Sequence, residues 1–122
     1  MKIDEIKKII EDSFENRNNI SDSSDKKIIA AINETIELTD KGEVRVAEKK
    51  NNNWSVNQWV KKAILLSFRT NKMQMSKGPY TTWYDKVPGK SVTWNEGDWK
   101  KAGYRHVPNG VVRKGSFIAK NV

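Results

Sequence analysis

The sequence predicts an α+β fold: a helical N-terminal part with a small β-hairpin, leading into a tail of a different period. Three observations carry that expectation. Apolar residues recur at helical spacing in three segments before residue 71. Two short stretches around Lys50 to Asn53 read as the arms of a hairpin. In the tail "VVRKGSFIAKNV", Val111 and Phe117 lie six apart, as do Val112 and Ile118. That spacing fits neither a helix stripe nor a simple strand alternation.

The first helix is expected from Ile3 to about Arg17. Ile3, Ile6, Ile9, Ile10 and Phe14 share one face, and Asp4 and Glu5 suit the positive end of its dipole. "NNISDSSD" is a polar connection. Asp25 or Ser24 can cap a second helix over roughly 25–40, with Ile28, Ile29, Ile32 and Ile36 inward and Gly42 ending it. The two helices are expected to pack as an antiparallel pair.

Val44 and Val46 alternate with Glu43 and Arg45, so 43–49 reads as a strand. Lys50 to Asn53 is its turn, and Trp54 with Val56 begins the returning strand. A third helix follows from about Asn57 to Thr70, with Val60, Ile64 and Phe68 inward and Trp59, Ala63 and Leu66 alongside. Arg69 and Lys72 suit its C-terminal end. Residues 71–93 read as loop, punctuated by Gly78-Pro79 and Pro88-Gly89. Asn95 can cap a short helix that Gly103 closes. The change of period beyond Pro108 marks the candidate domain boundary.

Composition narrows the function. The 122-residue chain has no cysteine, which excludes disulfides, thiolate catalysis and cysteine-based zinc sites. The N-terminus is charged throughout and has no apolar signal region, and no apolar run approaches the ~20 residues of a membrane span. A cytoplasmic protein is expected. The net charge of +8 is uneven: residues 1–40 are acidic on balance and residues 41–122 strongly basic. That asymmetry suits an anionic partner, although Lys and Asn can also serve as solvating residues.

No catalytic constellation emerges from spacing alone. His106 is the only histidine, so a His-rich metal site is not available, and a structural or surface role is expected for it. The carboxylates from residue 43 onward are Glu43, Glu48, Asp85, Glu96 and Asp98, and no pair has a spacing that argues for acid–base work. Asp85 is expected to fix a turn or pair with Lys86 or Lys90. Nucleotide-binding glycine loops are absent. Lys61, Lys62, Arg69 and Lys72 form one basic stretch, and Lys100, Lys101, Arg105, Arg113, Lys114 and Lys120 another. With Trp and Tyr interleaved they could meet nucleic acid, but no nucleic-acid motif accompanies them.

Three blocks go further. "RVAEKKNNNWSVNQWVKKAILLSFR", "WYDKVPGK" and "GYRHVPNGVVRKGSFIAKN", with the opening "IIEDSFENR", closely resemble tetrahydrodipicolinate N-succinyltransferase, the acyltransferase of bacterial lysine and diaminopimelate synthesis. The resemblance implies a helical N-terminal domain, here 1–108, followed by a left-handed β-helix of hexapeptide repeats, here begun at 109–122. It implies a homotrimer that binds succinyl-CoA as co-substrate in a groove between β-helices, has no tightly bound cofactor, and acts on a dicarboxylate amine acceptor. Val112 and Ile118 become the inward residues of two hexads.

Within "GYRHVP", Arg105 aligns with the family arginine that contacts the dicarboxylate, a task suited to a bidentate guanidinium. Lys86, Lys90 and Arg113 are lesser candidates, with surface solvation the preferred role for each. Catalytic residues are expected beyond Val122, with none in this segment, and the cofactor-binding residues are not assigned. One coil needs about three hexads, so the chain is expected to stop short of one, to be inactive alone, and to leave Phe117 and Ile118 in a projecting tail. The competing readings are a stand-alone basic module for nucleic acid or another anionic partner, and a trimer-interaction domain. Under the leading reading nucleic acid is disfavoured.

Overall fold

Nine apolar side chains from three helices and one connection set the architecture, which a computed structural model describes from Met1 to Val122. Helix α1 spans Ile3–Glu15, α2 Lys26–Asp40 and α3 Gln58–Thr70. Ile6 and Ile10 of α1, Ala31 and Ile32 of α2, and Val60, Ala63 and Leu66 of α3 meet with Ile20 and Trp59 in one core. Each helix packs on the other two. Ion pairs from the Met1 amine to Glu34 and from Lys27 to Glu5 tie the start of α1 to α2.

The helix ends follow local chemistry. The Asp25 carboxylate accepts the Lys27 N–H at 2.7 Å and caps α2. At the other end Gly42 turns left-handed (φ 74°). Its N–H donates to the Thr39 carbonyl and that of Glu43 to Leu38, a Schellman closure. The face of α3 is rotated from the expected one. Val60, Ala63, Leu66 and Ser67 are buried, Ile64 is half-buried, and Phe68 is exposed.

The first hairpin pairs β1 (Ala47–Lys50) with β2 (Asn53–Val56). Asn51 and Asn52 both take positive φ, 50° and 64°, the geometry of a two-residue turn that matches strand twist. The first strand begins four residues later than the alternation suggests. Residues 43–46 spend their hydrogen bonds on helix ends instead: Glu43 and Val44 donate to Leu38, and Val46 accepts from Asn57. Val44 and Val46 still pack on the core.

A second hairpin corrects the expectation of a loop over 71–93. Strand β3 (Gln74–Lys77) pairs with β4 (Thr82–Asp85), with Met75 opposite Tyr84 and Ser76 opposite Trp83. Only Asp85 among these residues is even partly covered, so no inward-facing alternation announced the hairpin. The Trp83 ring occupies the space where Gly78 lacks a side chain. Helix α4 (Glu96–Ala102) forms as expected, with an Asn95–Asp98 capping box and Gly103 left-handed at its end.

The tail takes up no regular element. Residues 109–122 contain turns and no strand; their only bridge joins Arg113 to Gly89. The tail does not project, although Phe117 stays exposed as expected. The Phe117 ring lies over Gly42, Ile118 is half-buried, the Asn121 N–H donates to the Gly103 carbonyl at 2.7 Å, and the Arg105 N–H donates to Val122 at 3.0 Å.

Two substitutions probe these features. Ile32→Ala empties a fully buried position and is expected to cost about 2–5 kcal/mol in urea unfolding. Gly42→Ala must hold a positive φ beneath the Phe117 ring, which would lie 2.7 Å from the new methyl. It is expected to cost more than ~1 kcal/mol; a neutral Gly42→Ala would show that neither the closure nor the Phe117 contact stabilises the fold.

Candidate functional site: the junction around Asp40 and Arg105

Asp40 is the last residue of α2, where the helix dipole disfavours a negative charge. Two lysines and a backbone amide reverse that. Lys90 Nζ lies 2.9 Å from Oδ1 and donates at 2.9 Å to the Asp40 carbonyl. The Gly115 N–H donates to Oδ1 at 2.8 Å, and Lys114 Nζ lies 3.3 Å from Oδ2 and 2.9 Å from Glu37. The Lys90 and Asp40 side chains are only 7% and 11% exposed. Burial pushes the Asp40 carboxyl up, but the hydrogen bonds from Lys90 and Gly115 and the charges of Lys90 and Lys114 outweigh it and hold the pKa below its ordinary value. Burial likewise opposes the Lys114 charge, and Glu37 with Asp40 raises its pKa regardless.

Lys90 is therefore not a surface residue. A lysine this deep must be paired, and its carboxylate lies fifty residues earlier in the chain. Asp85 does fix a turn, accepting the Lys86 N–H at 2.7 Å, but its ionic partner is Arg113. The Arg113 hydrogen bond, reinforced by the Lys86 N–H, lowers the Asp85 pKa. Lys86 donates to the Phe68 carbonyl at 2.7 Å in the last turn of α3. Between these contacts the main chains join: Lys90 donates to Val112 and Lys114 to Pro88.

Arg105 is exposed and makes none of these contacts. Its backbone is fixed by Val122, whereas its guanidinium is in no ion pair or side-chain hydrogen bond. The neighbouring Lys120 stem crosses Gly103 and is likewise unpaired. Tyr104 and His106 flank Arg105 and pack on Trp99, with ring centroids 5.5 and 5.9 Å away, so His106 takes a structural role. Burial raises the Tyr104 pKa, and the Asp40 charge adds to it. Trp94 completes the aromatic cluster.

The structure does not unite the candidate residues in one place. Lys86 and Arg113 line a cleft of about 820 Å³ bounded by α2, α3 and residues 113–116, and Arg105 is outside it. The sequence placed Lys114 only within a basic stretch and gave no sign of Asp40, whose partners are distant in the chain, or of the cleft, which exists only after the tail folds back.

The tetrahydrodipicolinate N-succinyltransferase N-terminal family model matches residues 5–70. The chain belongs to this family. It is 58% identical over 120 residues to the 2,3,4,5-tetrahydropyridine-2,6-dicarboxylate N-succinyltransferase of Pelagibacter ubique, covering 96% of this chain and 44% of the relative. The Agrobacterium fabrum protein of the same name is 50% identical over 117 residues, 93% of this chain and 41% of its own. That of Parvibaculum lavamentivorans is 43% identical over 125 residues, 100% and 44% respectively. The chain thus spans about two fifths of the length of the curated relatives it matches. No helix of this family member is long and apolar enough to cross a membrane.

Removing the Asp40 charge leaves a buried lysine unpaired. Asp40→Asn is expected to cost about 3–5 kcal/mol, while Asp40→Leu with Lys90→Met costs less. The folded pKa of Asp40 lies below its ordinary value of 3.8. Its contribution is therefore complete above that value and lost as pH falls through the folded pKa. Urea unfolding below about pH 4 should show wild-type stability falling and Asp40→Asn falling less. Parallel pH profiles would contradict this.

Proposed function

We propose that this chain forms the N-terminal domain of an N-succinyltransferase that moves succinyl from succinyl-CoA to tetrahydrodipicolinate. The observation that carries the reading is family membership with 58% identity to a relative of that name over nearly the whole chain. In the proposed reaction water opens the cyclic imine, the freed amine attacks the thioester carbonyl as a general base takes its proton, oxyanion donors stabilise the tetrahedral intermediate, and its collapse breaks the C–S bond and releases CoA as the thiol. Those groups belong to the remaining length seen in the relatives. Succinyl-CoA is a co-substrate and no tightly bound cofactor is invoked. The assembly is a cytoplasmic homotrimer.

Arg105 is the proposed anchor for a substrate carboxylate. Its free guanidinium offers paired N–H donors in a fixed fork, and its backbone is held by Val122. Half-buried Tyr104 and His106, both packed on Trp99, flank it in the chain. Unlike Arg105, Arg113 and Lys90 are already neutralised by Asp85 and Asp40.

The division into 1–108 and a left-handed β-helix from 109 belongs to the same reading. Gly103 and Asn121, joined by a main-chain hydrogen bond, are three hexads apart. The next bond, from Arg105 to Val122, advances in the same direction along both segments, as in a parallel pair. Gly103 and Arg105 precede residue 109, so these bonds fasten the start of the β-helix segment to the N-terminal domain. The nucleic-acid alternative loses support because Lys100, Arg113 and Lys114 of the C-terminal basic stretch are paired with carboxylates.

The test is a chimera in which this chain replaces the matching N-terminal part of the Pelagibacter relative. It should transfer succinyl to the dicarboxylate amine, whereas the 122-residue polypeptide alone should not exceed the no-protein background. Arg105→Lys in the chimera is expected to raise KM for the dicarboxylate about tenfold or more, with KM for succinyl-CoA unchanged. Turnover by the short polypeptide, or an Arg105→Lys chimera with unaltered KM, would contradict the proposal.

A further inference from the structure

The cleft between α2, α3 and the returning tail has features that packing alone does not require. It is an open groove of about 820 Å³. Ile36, Ile64 and Phe68 supply an apolar wall, and polar groups surround it. Most of the charges there are already matched: Lys72 with Asp22, Arg113 with Asp85, and Lys114 with Glu37 and Asp40.

Lys86 differs. Its ammonium donates to the Phe68 carbonyl and has no carboxylate partner, so two of its three protons remain uncommitted. The side chains of Asn33, Asn71, Gln74 and Ser116 also line the cleft and are in no side-chain hydrogen bond within the protein. One free cation in a cleft lined by amide and hydroxyl groups selects a particular chemistry. A multiply charged anion would have to break existing ion pairs, whereas a single carboxylate would not.

We propose that this cleft is a binding site for a small monocarboxylate that also carries an amide or hydroxyl group. The carboxylate meets Lys86, the polar part bonds Asn71 and Ser116, and the ligand's carbon frame lies on Ile64 and Phe68. The site is separate from Arg105 and does not depend on its role. Residues from α2, α3 and the tail meet here, so an occupant would brace the tail against the helices.

N-acetylglycine, with one carboxylate and one amide, is a suitable probe, and inorganic phosphate tests the alternative of simple anion attraction. In a titration of the 122-residue chain followed by amide NMR shifts, N-acetylglycine should shift residues 71, 86 and 116 saturably, with Kd on the order of 1 mM. Phosphate should bind at least fivefold more weakly. Lys86→Gln and, independently, Ser116→Val should each weaken N-acetylglycine at least fivefold, and Arg105→Gln should leave it unchanged. Absence of saturable shifts, tighter binding of phosphate, or binding unaffected by both cleft variants would overturn the proposal. Loss of binding in Arg105→Gln alone would place the ligand at Arg105 instead.

Discussion

One carboxylate holds this structure together at its least obvious point. Asp40 ends α2, at the helix pole that repels anions, and is nearly buried there. It is retained by Lys90, Lys114 and the Gly115 amide, all supplied by chain far beyond the three-helix core. The same contacts bring residues 86–90 and 113–116 against α2. Everything downstream follows: the bridge between Gly89 and Arg113, the placement of Phe117 over Gly42, and the walls of the cleft. The core of Ile, Val, Leu and Ala explains why three helices pack. Asp40 explains why the rest of the chain has a fixed position relative to them.

Legibility in the sequence followed the range of the interaction. Helices α1 to α3 could be read because a 3.6-residue period appears wherever one face is buried. The α2 and α4 ends could be read because Asp25, Gly42, Asn95 and Gly103 act on their immediate neighbours. The second hairpin was hidden because its strands are exposed on both faces, leaving no alternation to detect. It still had a local signature in Gly78-Pro79 followed by the β-favouring run Thr81 to Tyr84, which was read only as loop. The start of β1 was misplaced because Val44 and Val46 alternate for a different reason: they pack on the helices while their backbones close α2 and meet α3.

The candidate site was legible only where chemistry is carried by one residue. Arg105 could be singled out through the resemblance of "GYRHVP", and the structure leaves its guanidinium free. Lys90 looks like any other lysine of a basic chain until Asp40 is beside it, and nothing in the sequence around either residue points to the other. Arg113 and Asp85 are a similar pair. The period-six tail was legible as a pattern and not as a conformation. Its residues lie in turns and irregular chain here, fastened at 121–122 to 103–105 by two main-chain hydrogen bonds.

Native-state hydrogen exchange tests the role of Asp40 most directly. In the wild-type chain the Gly115 and Asn121 amides should exchange slowly, because each is bonded to a segment fixed through the Asp40 contacts. In Asp40→Asn both should accelerate at least tenfold relative to the Val60 amide of the helical core. Equal acceleration of Val60, Gly115 and Asn121 would mean that Asp40 supports only global stability. Gly115 and Asn121 amides that already exchange freely in the wild type would contradict the account outright.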